Sequence, residues 1–543
     1  MRSTRFTFSS QTMAAALLLL GHVSLAAEWQ WSIPDGNARA YLWIPPDCQR
    51  VRGVLVASNN MIEGPILEHP TMRQTLAKLG FAEVWVVPSL DLKFDFTKGA
   101  GEHFDRVMAG LADASGYEEL KSAPIVPMGH SAHATFPWNF AAWNPQRTLC
   151  VLSVKGDAPQ TNLTGYGGKN VDWGDRTIDG IPGLMVMSQQ EWNEQRLAPA
   201  MAFRQKHPHQ AIAVYAEVGN GHFSCSDNLV GQLAQFIDKS AQWRLPKALP
   251  ASLTDPVPLA PVTAEQGWVI DQWHADAAPS APPAPFASYT GDRSHGFFCF
   301  DKEMADSIEA QYAKQFGKKP QMVGFVHDGT ILAGEPCTID IKPGEDGIGF
   351  TLDTAFLDKV GGAGGNPAHW TGLQKGDPLG HATTGDIEIH KTIGPVRHLE
   401  GNHWQISLDR SVYTADRRNN DAWVVATHPG DTEYRGIAQQ CQLKLSPNKD
   451  GADQTIIFPP IADQKAGVAS VPLEASASSG LPVHYYVREG PAEIDGDSLV
   501  LSALPPRAKR PLRVTVIAWQ WGRSADPKIK TATQVEATFT VGN

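Results

Sequence analysis

Pro124-Ile125-Val126-Pro127-Met128-Gly129-His130-Ser131-Ala132-His133 is an apolar run that breaks at a glycine and restarts as a helix. Pro124–Met128 has the length and apolarity of a strand buried on both faces, and Ala132–Ala142 follows as a helix. A strand that feeds a helix through so short a turn lifts Ser131 to the rim of a sheet. Outward from this point, strand and helix patterns alternate. Before it come strand Ala82–Val87 and helix Gly101–Ala114. After it come strand Leu149–Val154, strand Leu184–Met187, helix Asn193–His207, strand Ala211–Ala216 and helix Asn228–Ala241. Strands separated by helices predict an α/β fold with a mostly parallel sheet covered on both faces. The two earliest strands, Ala40–Ile44 and Gly53–Ala57, have no helix between them and are expected to form an antiparallel hairpin at the sheet edge.

Gly129-His130-Ser131-Ala132-His133 resembles the nucleophile turn of the α/β-hydrolases, G-x-S-x-G, with His133 in place of the last glycine. The resemblance spans roughly residues 28 to 243 and implies Ser131 as nucleophile. It places the base after the last strand, where Gly219-Asn220-Gly221-His222-Phe223 offers His222 in a loop that flanking glycines let turn sharply. The acid is expected between them, after Leu184–Met187. Glu191 stands at the family's offset, Glu194 is the alternative, and Asp157 after Leu149–Val154 is a third. The carboxylate would hold the His222 tautomer and stabilise its protonated form. The oxyanion hole needs two backbone N–H groups, expected from Ala132 and from the loop Ser58-Asn59-Asn60-Met61, with Met61 first and Asn60 close behind. The bulky ring of His133 is expected to push a neighbouring helix outward.

Trp138, Trp143, Trp173 and Trp192 are candidate walls of the site. Trp143 reads better as core, whereas Asn60, Trp173 and Trp192 are the residues expected to touch substrate. The Gly-rich loop Gly165–Gly180 is the one stretch in this region with room for a lid. It is short, which predicts an open cleft suited to bulky or polymeric substrates.

The first 27 residues read as a cleaved secretory signal: Arg2 and Arg5, the apolar run Met13–Leu20, then the small residues around Ala26. No later stretch is long and apolar enough for a membrane helix, so the expected location is secreted or periplasmic. Export permits disulfides, but the six cysteines, three in each half, leave the pairing open. No CxxC pair and no HExxH occurs, so neither a structural zinc nor any cofactor is expected. The net charge of -11 without a basic stripe argues against nucleic-acid binding.

Beyond the hydrolase-like region of residues 28–245, prolines recur without period over 246–287, as in an extended linker. Trp268 and Trp273 predict that part of this linker packs against a domain. Residues 288–450 read as a β-rich accessory domain with one helix, Lys302–Phe316. Residues 451–543 form a second β module, in which Ala475–Val483 resembles a segment of bacterial immunoglobulin-like modules and implies a spacer or attachment role. Taken together, the chain reads as an exported serine hydrolase that cleaves carboxylic esters, with esters of polymeric carbohydrates as the substrate class by analogy. The rival readings are a serine peptidase or amidase, and a binding protein on an inactive hydrolase scaffold.

Overall fold

The computed structural model describes residues 28–191, 194–274, 277–333, 337–361, 368–413 and 421–542. The expected signal segment, residues 1–27, lies outside them, as does Trp192. Eight strands form the main sheet: β1 (Trp31–Asp35), β2 (Ala38–Trp43), β3 (Gly53–Ser58), β4 (Phe81–Val87), β5 (Ile125–His130), β6 (Val151–Val154), β7 (Gly183–Ser188) and β8 (Ile212–Glu217). Their order is β1-β2-β4-β3-β5-β6-β7-β8. Every pairing from β4 to β8 is parallel. This is the mostly parallel sheet that the sequence predicts.

The strand period of two explains the layering. On β3, Val54 and Val56 enter the core on one face, and Leu55 and Ala57 enter the core on the other. Helices α2 (Pro70–Leu79) and α6 (Asp227–Arg244) cover the second face, and α3 (Ala100–Ser115) and α4 (Phe136–Trp143) the first. The short helix α1 (Glu63–Leu67) follows β3, and α5 (Glu194–Lys206) follows β7.

The expected edge hairpin is wrong in one strand. Ala38–Trp43 does lie in an antiparallel hairpin at the edge, but its partner is Trp31–Asp35. Gly53–Ser58 sits inside the sheet, between β4 and β5. Pro34 in the outermost strand hides the strand signal, since proline gives the ladder no N–H and is tolerated at an edge.

The opposite edge is covered from far along the chain. Trp268–Asp271 pairs with Gly296–Cys299. Helix α7 (Lys302–Ala313) then packs Met304, Ala305, Ile308 and Tyr312 into the same core as β8 and α6. The Tyr312 hydroxyl accepts the Ala216 N–H at 3.0 Å, so an edge-strand donor finds a partner. Trp273 is buried in this core too. Sequence texture groups the helix with the β-rich region, yet it completes the core of the main sheet.

The remaining chain is rich in antiparallel strands and small sheets. A four-stranded sheet joins Cys337–Ile341, Ile437–Leu445, Asp421–His428 and Glu388–Ile393 in that order. Its core also takes Tyr486, Ile517, Trp519 and Trp521 from the C-terminal stretch, so the two β regions share one core. The C-terminal strands enclose a smaller core around Val471, Leu499, Val516 and Phe539. They fold back onto the main sheet: Arg39 on β2 forms a buried ion pair with Glu489 at 2.9 Å. All six cysteines carry free thiols. Among the described residues no helix is long and apolar enough to cross a membrane.

Candidate active site

Parallel strands end along one rim, and residues just past their C-terminal ends converge there. Ser131 follows β5 directly, with φ of +54°. A non-glycine residue in this left-handed region marks a turn held by its surroundings. Gly129 makes the turn possible, because a Cβ there would fall 2.0 Å from the His133 carbonyl oxygen. His133 pushes no helix outward. Its ring turns under the rim, and Nδ1–H donates to the Ser58 carbonyl at the end of β3, 2.7 Å away. Close packing beside the turn comes instead from Gly156, whose added Cβ would lie 2.1 Å from the Ala134 Cβ.

Three of the expected site residues meet in hydrogen-bonding order. The Ser131 hydroxyl donates to His222 Nε2 at 2.7 Å, and His222 Nδ1–H donates to Glu191 Oε2 at 2.6 Å. A carboxylate only accepts, so it fixes the proton on Nδ1 and leaves Nε2 as acceptor for the hydroxyl. Burial alone would raise the Glu191 pKa. The facing His222, its hydrogen bond, Lys155 and Arg196 outweigh it and hold the carboxyl below its ordinary range.

The other acid candidates stand elsewhere. Asp157 is buried beside α4, accepting from Thr135 Oγ1 and from the Leu163 and Thr164 amides. Burial pushes its pKa up. It pins a loop and does not reach the histidine. Glu194 begins α5, one turn of chain beyond Glu191.

The oxyanion loop differs from expectation. The Ala132 N–H has no partner among the described residues, as a donor kept for substrate requires. The Met61 N–H is already engaged: it donates to Glu63 Oε2 at 2.8 Å, and so does the Asn60 N–H at 2.9 Å. The other oxygen of Glu63 accepts the His130 N–H at 2.9 Å. One buried carboxylate thus ties the loop after β3 to the nucleophile turn. Among the described residues no ion pair reaches it, and desolvation raises its pKa to about 7 despite the amide hydrogen bonds. The Asn60 side chain, half-buried, reaches the same turn, its Nδ2 3.3 Å from the His130 carbonyl.

Of the tryptophans, Trp173 is a core residue and not a substrate contact. It is buried, its indole N–H donates to Asn139 Oδ1 at 2.7 Å, and it packs on Phe203. Trp138 is likewise buried, its N–H on the Asp157 carbonyl. Trp143 joins Phe94, Phe104 and Phe140 on the α3–α4 face. The Gly-rich loop rests on Lys93 and Asn139 rather than reaching His222. What reaches it is the second sheet. The Phe223 N–H donates to the Gln440 side chain, and the Phe223 ring lies 4.4 Å from that of Trp423. Gln190, next to the acid, donates to the Ala438 carbonyl at 2.5 Å.

Sequence reasoning missed Glu63, Lys155, Glu217 and Gln440. Lys155 and Glu217 carried a faint signal, as charges set at the ends of apolar strands, Val151–Val154 and Ile212–Glu217. Gln440, some two hundred residues from the site in sequence, carried none.

No protein-family model matches the chain, and no curated protein matches it in sequence. Solved structures do align with it. A poly(aspartic acid) hydrolase-1 from Sphingomonas sp. KT-1 is 12% identical over 38% of this chain and 98% of its own, with a TM-score of 0.29. Est1E from Butyrivibrio proteoclasticus is 13% identical over 39% and 97%, with a TM-score of 0.27. The siderophore hydrolase EstA from Aspergillus nidulans is 12% identical over 43% and 99%, with a TM-score of 0.27.

Proposed function

We propose that this protein is an exported serine hydrolase that cleaves carboxylic esters through an acyl-enzyme. The observation that carries the proposal is the contact order Ser131 Oγ, His222 Nε2, His222 Nδ1, Glu191 Oε2, both links within 2.7 Å. Ser131 attacks the ester carbonyl carbon while His222 Nε2 takes its proton, and Glu191 stabilises the imidazolium. The Ala132 N–H receives the developing oxyanion. With the Met61 amide engaged, the Asn60 side-chain amide is the second donor. The tetrahedral intermediate expels the alcohol, which takes the proton back from His222. Water, deprotonated by the same nitrogen, then attacks the acyl carbon and frees the acid and Ser131.

Export rests on the basic start and apolar run of residues 1–27. Export and the appended β regions together support esters of extracellular polymers, carbohydrate esters among them, as the substrate class. N-terminal sequencing of the mature protein tests the first point, with a start near Ala27 or Glu28 expected. Hydrolysis of p-nitrophenyl acetate and butyrate, beside Ser131→Ala and a fluorophosphonate label, tests the chemistry. Turnover and labelling that both vanish in the variant are expected. An unlabelled wild-type protein would mean that the scaffold serves binding.

A further inference from the structure

We propose that Lys155 is a positioning residue for His222, its buried ammonium holding the backbone carbonyls on either side of that histidine. The inference rests on Ser131, His222 and Glu191 acting as the triad. Lys155 stands at the end of β6, next to the strand that carries Ser131, with φ of +53°. Its Nζ lies 2.8 Å from the Gly221 carbonyl, 2.6 Å from the Ser224 carbonyl and 2.7 Å from Glu217 Oε2. An ammonium has three hydrogens, and here each has one acceptor, with the side chain wholly buried.

The loop's buried carbonyls need donors, which is why a cation sits there. The histidine loop comes off β8 with its carbonyls turned inward, toward the rim. The His222 carbonyl accepts His130 Nε2–H at 3.0 Å. Lys155 donates to the Gly221 and Ser224 carbonyls; Gly221 also accepts from Ser188 Oγ at 2.9 Å and from the Ser224 N–H at 3.3 Å. No neutral side chain offers three donors from one atom. Glu217 neutralises the charge and itself accepts the hydroxyl of Ser226, the residue that caps α6.

Stability alone does not account for this pair. Replacing both members of a buried ion pair by neutral groups of like volume is often neutral or stabilising. What such a replacement cannot do is hold two carbonyls in place. A loop loosened there would let His222 Nε2 drift from Ser131 Oγ without touching the substrate.

The test is Lys155→Met combined with Glu217→Gln, which removes the donors and leaves no unpaired buried charge. With p-nitrophenyl acetate, kcat is expected to fall about 100-fold, the effect of a displacement near 1 Å, with KM unchanged. The far-downfield proton resonance of His222 Nδ1–H should broaden or vanish in the folded double variant. Turnover equal to wild type, or a loss carried by KM, would overturn the proposal. Fluorophosphonate labelling of wild-type Ser131 separates the two failures, because an unlabelled wild type sinks the triad and a labelled one leaves only Lys155 in question. If the double variant does not fold, amide hydrogen exchange on the wild-type protein decides. Slow exchange over residues 219–224 supports the clamp, and exchange as fast as in the exposed stretch 165–168 overturns it.

Discussion

The two sides of the candidate site are held by buried side chains of opposite kind, one acidic and one basic. On the nucleophile side a lone carboxylate, Glu63, gathers the N–H groups of Asn60, Met61 and His130. On the histidine side an ammonium, Lys155, gathers the carbonyls of Gly221 and Ser224. Each loop leaves the end of its strand with one kind of backbone group unpaired, and the buried charge is of the sign that such groups need. The settings differ in a second respect. Lys155 has Glu217 beside it, whereas the partners of Glu63 among the described residues are backbone amides. A third tether, Gln440, is uncharged and comes from another sheet. Rigidity at this site is thus built from buried acidic and basic groups at the rim of the main sheet and a neutral contact from another sheet.

The largest effect sets the scale for both sides. Ser131→Ala or His222→Ala should lower kcat on the order of 10⁶-fold, and the double variant should be no worse. Additive losses in stopped-flow ester hydrolysis would mean that the two sides do not act as one unit. Glu63→Gln comes next. Its amide nitrogen faces N–H donors, so at least one buried amide loses its acceptor, at a cost of about 1–3 kcal/mol. A drop in melting temperature and a fall in kcat on the order of 10-fold are expected. Wild-type kinetics in that variant would show that only the histidine side is held by charge.

Gln440→Leu removes a single outside tether and should cost less, a decrease in kcat of about threefold to tenfold. An effect rivalling that of Glu63→Gln would shift the balance toward the second sheet.

The smallest effect is one of pH. The Glu63 pKa is raised from 4.5 to about 7 in the folded protein, chiefly by burial. The folded state therefore holds this proton more tightly than the unfolded chain does. That contribution to stability is complete below about pH 4.5 and is lost as pH rises through about 7. Glu28 and Glu83, raised by burial to about 7 and about 8, add in the same direction. Melting curves from pH 5 to pH 8 should show the gap between wild type and Glu63→Gln narrowing. A gap that stays constant from pH 5 to pH 8 would mean that the carboxylate is ionised throughout.

Much of the site is legible in residue order because its parts are local. A strand, a glycine, a serine and a helix force the turn at Ser131 within a few residues. The order of serine, acid and histidine follows from successive strands ending on one rim. The same local reading misled where a side chain had two surroundings to choose from. Trp173, in a loop full of glycine, reads as a substrate contact, yet its indole donates to Asn139 within a core. Met61 stood at the expected place for an oxyanion donor, and Glu63, two residues on, took its N–H. The helix at Lys302–Ala313 looked like part of a β-rich domain because nothing in its pattern names the strand edge that it covers.

By itself the sequence determined the parallel sheet, the nucleophile turn and the loops that carry the acid and the base. Hydrophobic period, glycine freedom and chain order act over a few residues and leave little choice. Only the tertiary structure decided which buried charges would hold those loops, which amides stay open to an oxyanion, and that a sheet some two hundred residues away would lean on His222. These depend on which unpaired N–H and C=O groups the fold brings inside, and a backbone group acquires that need only once its surroundings have excluded water.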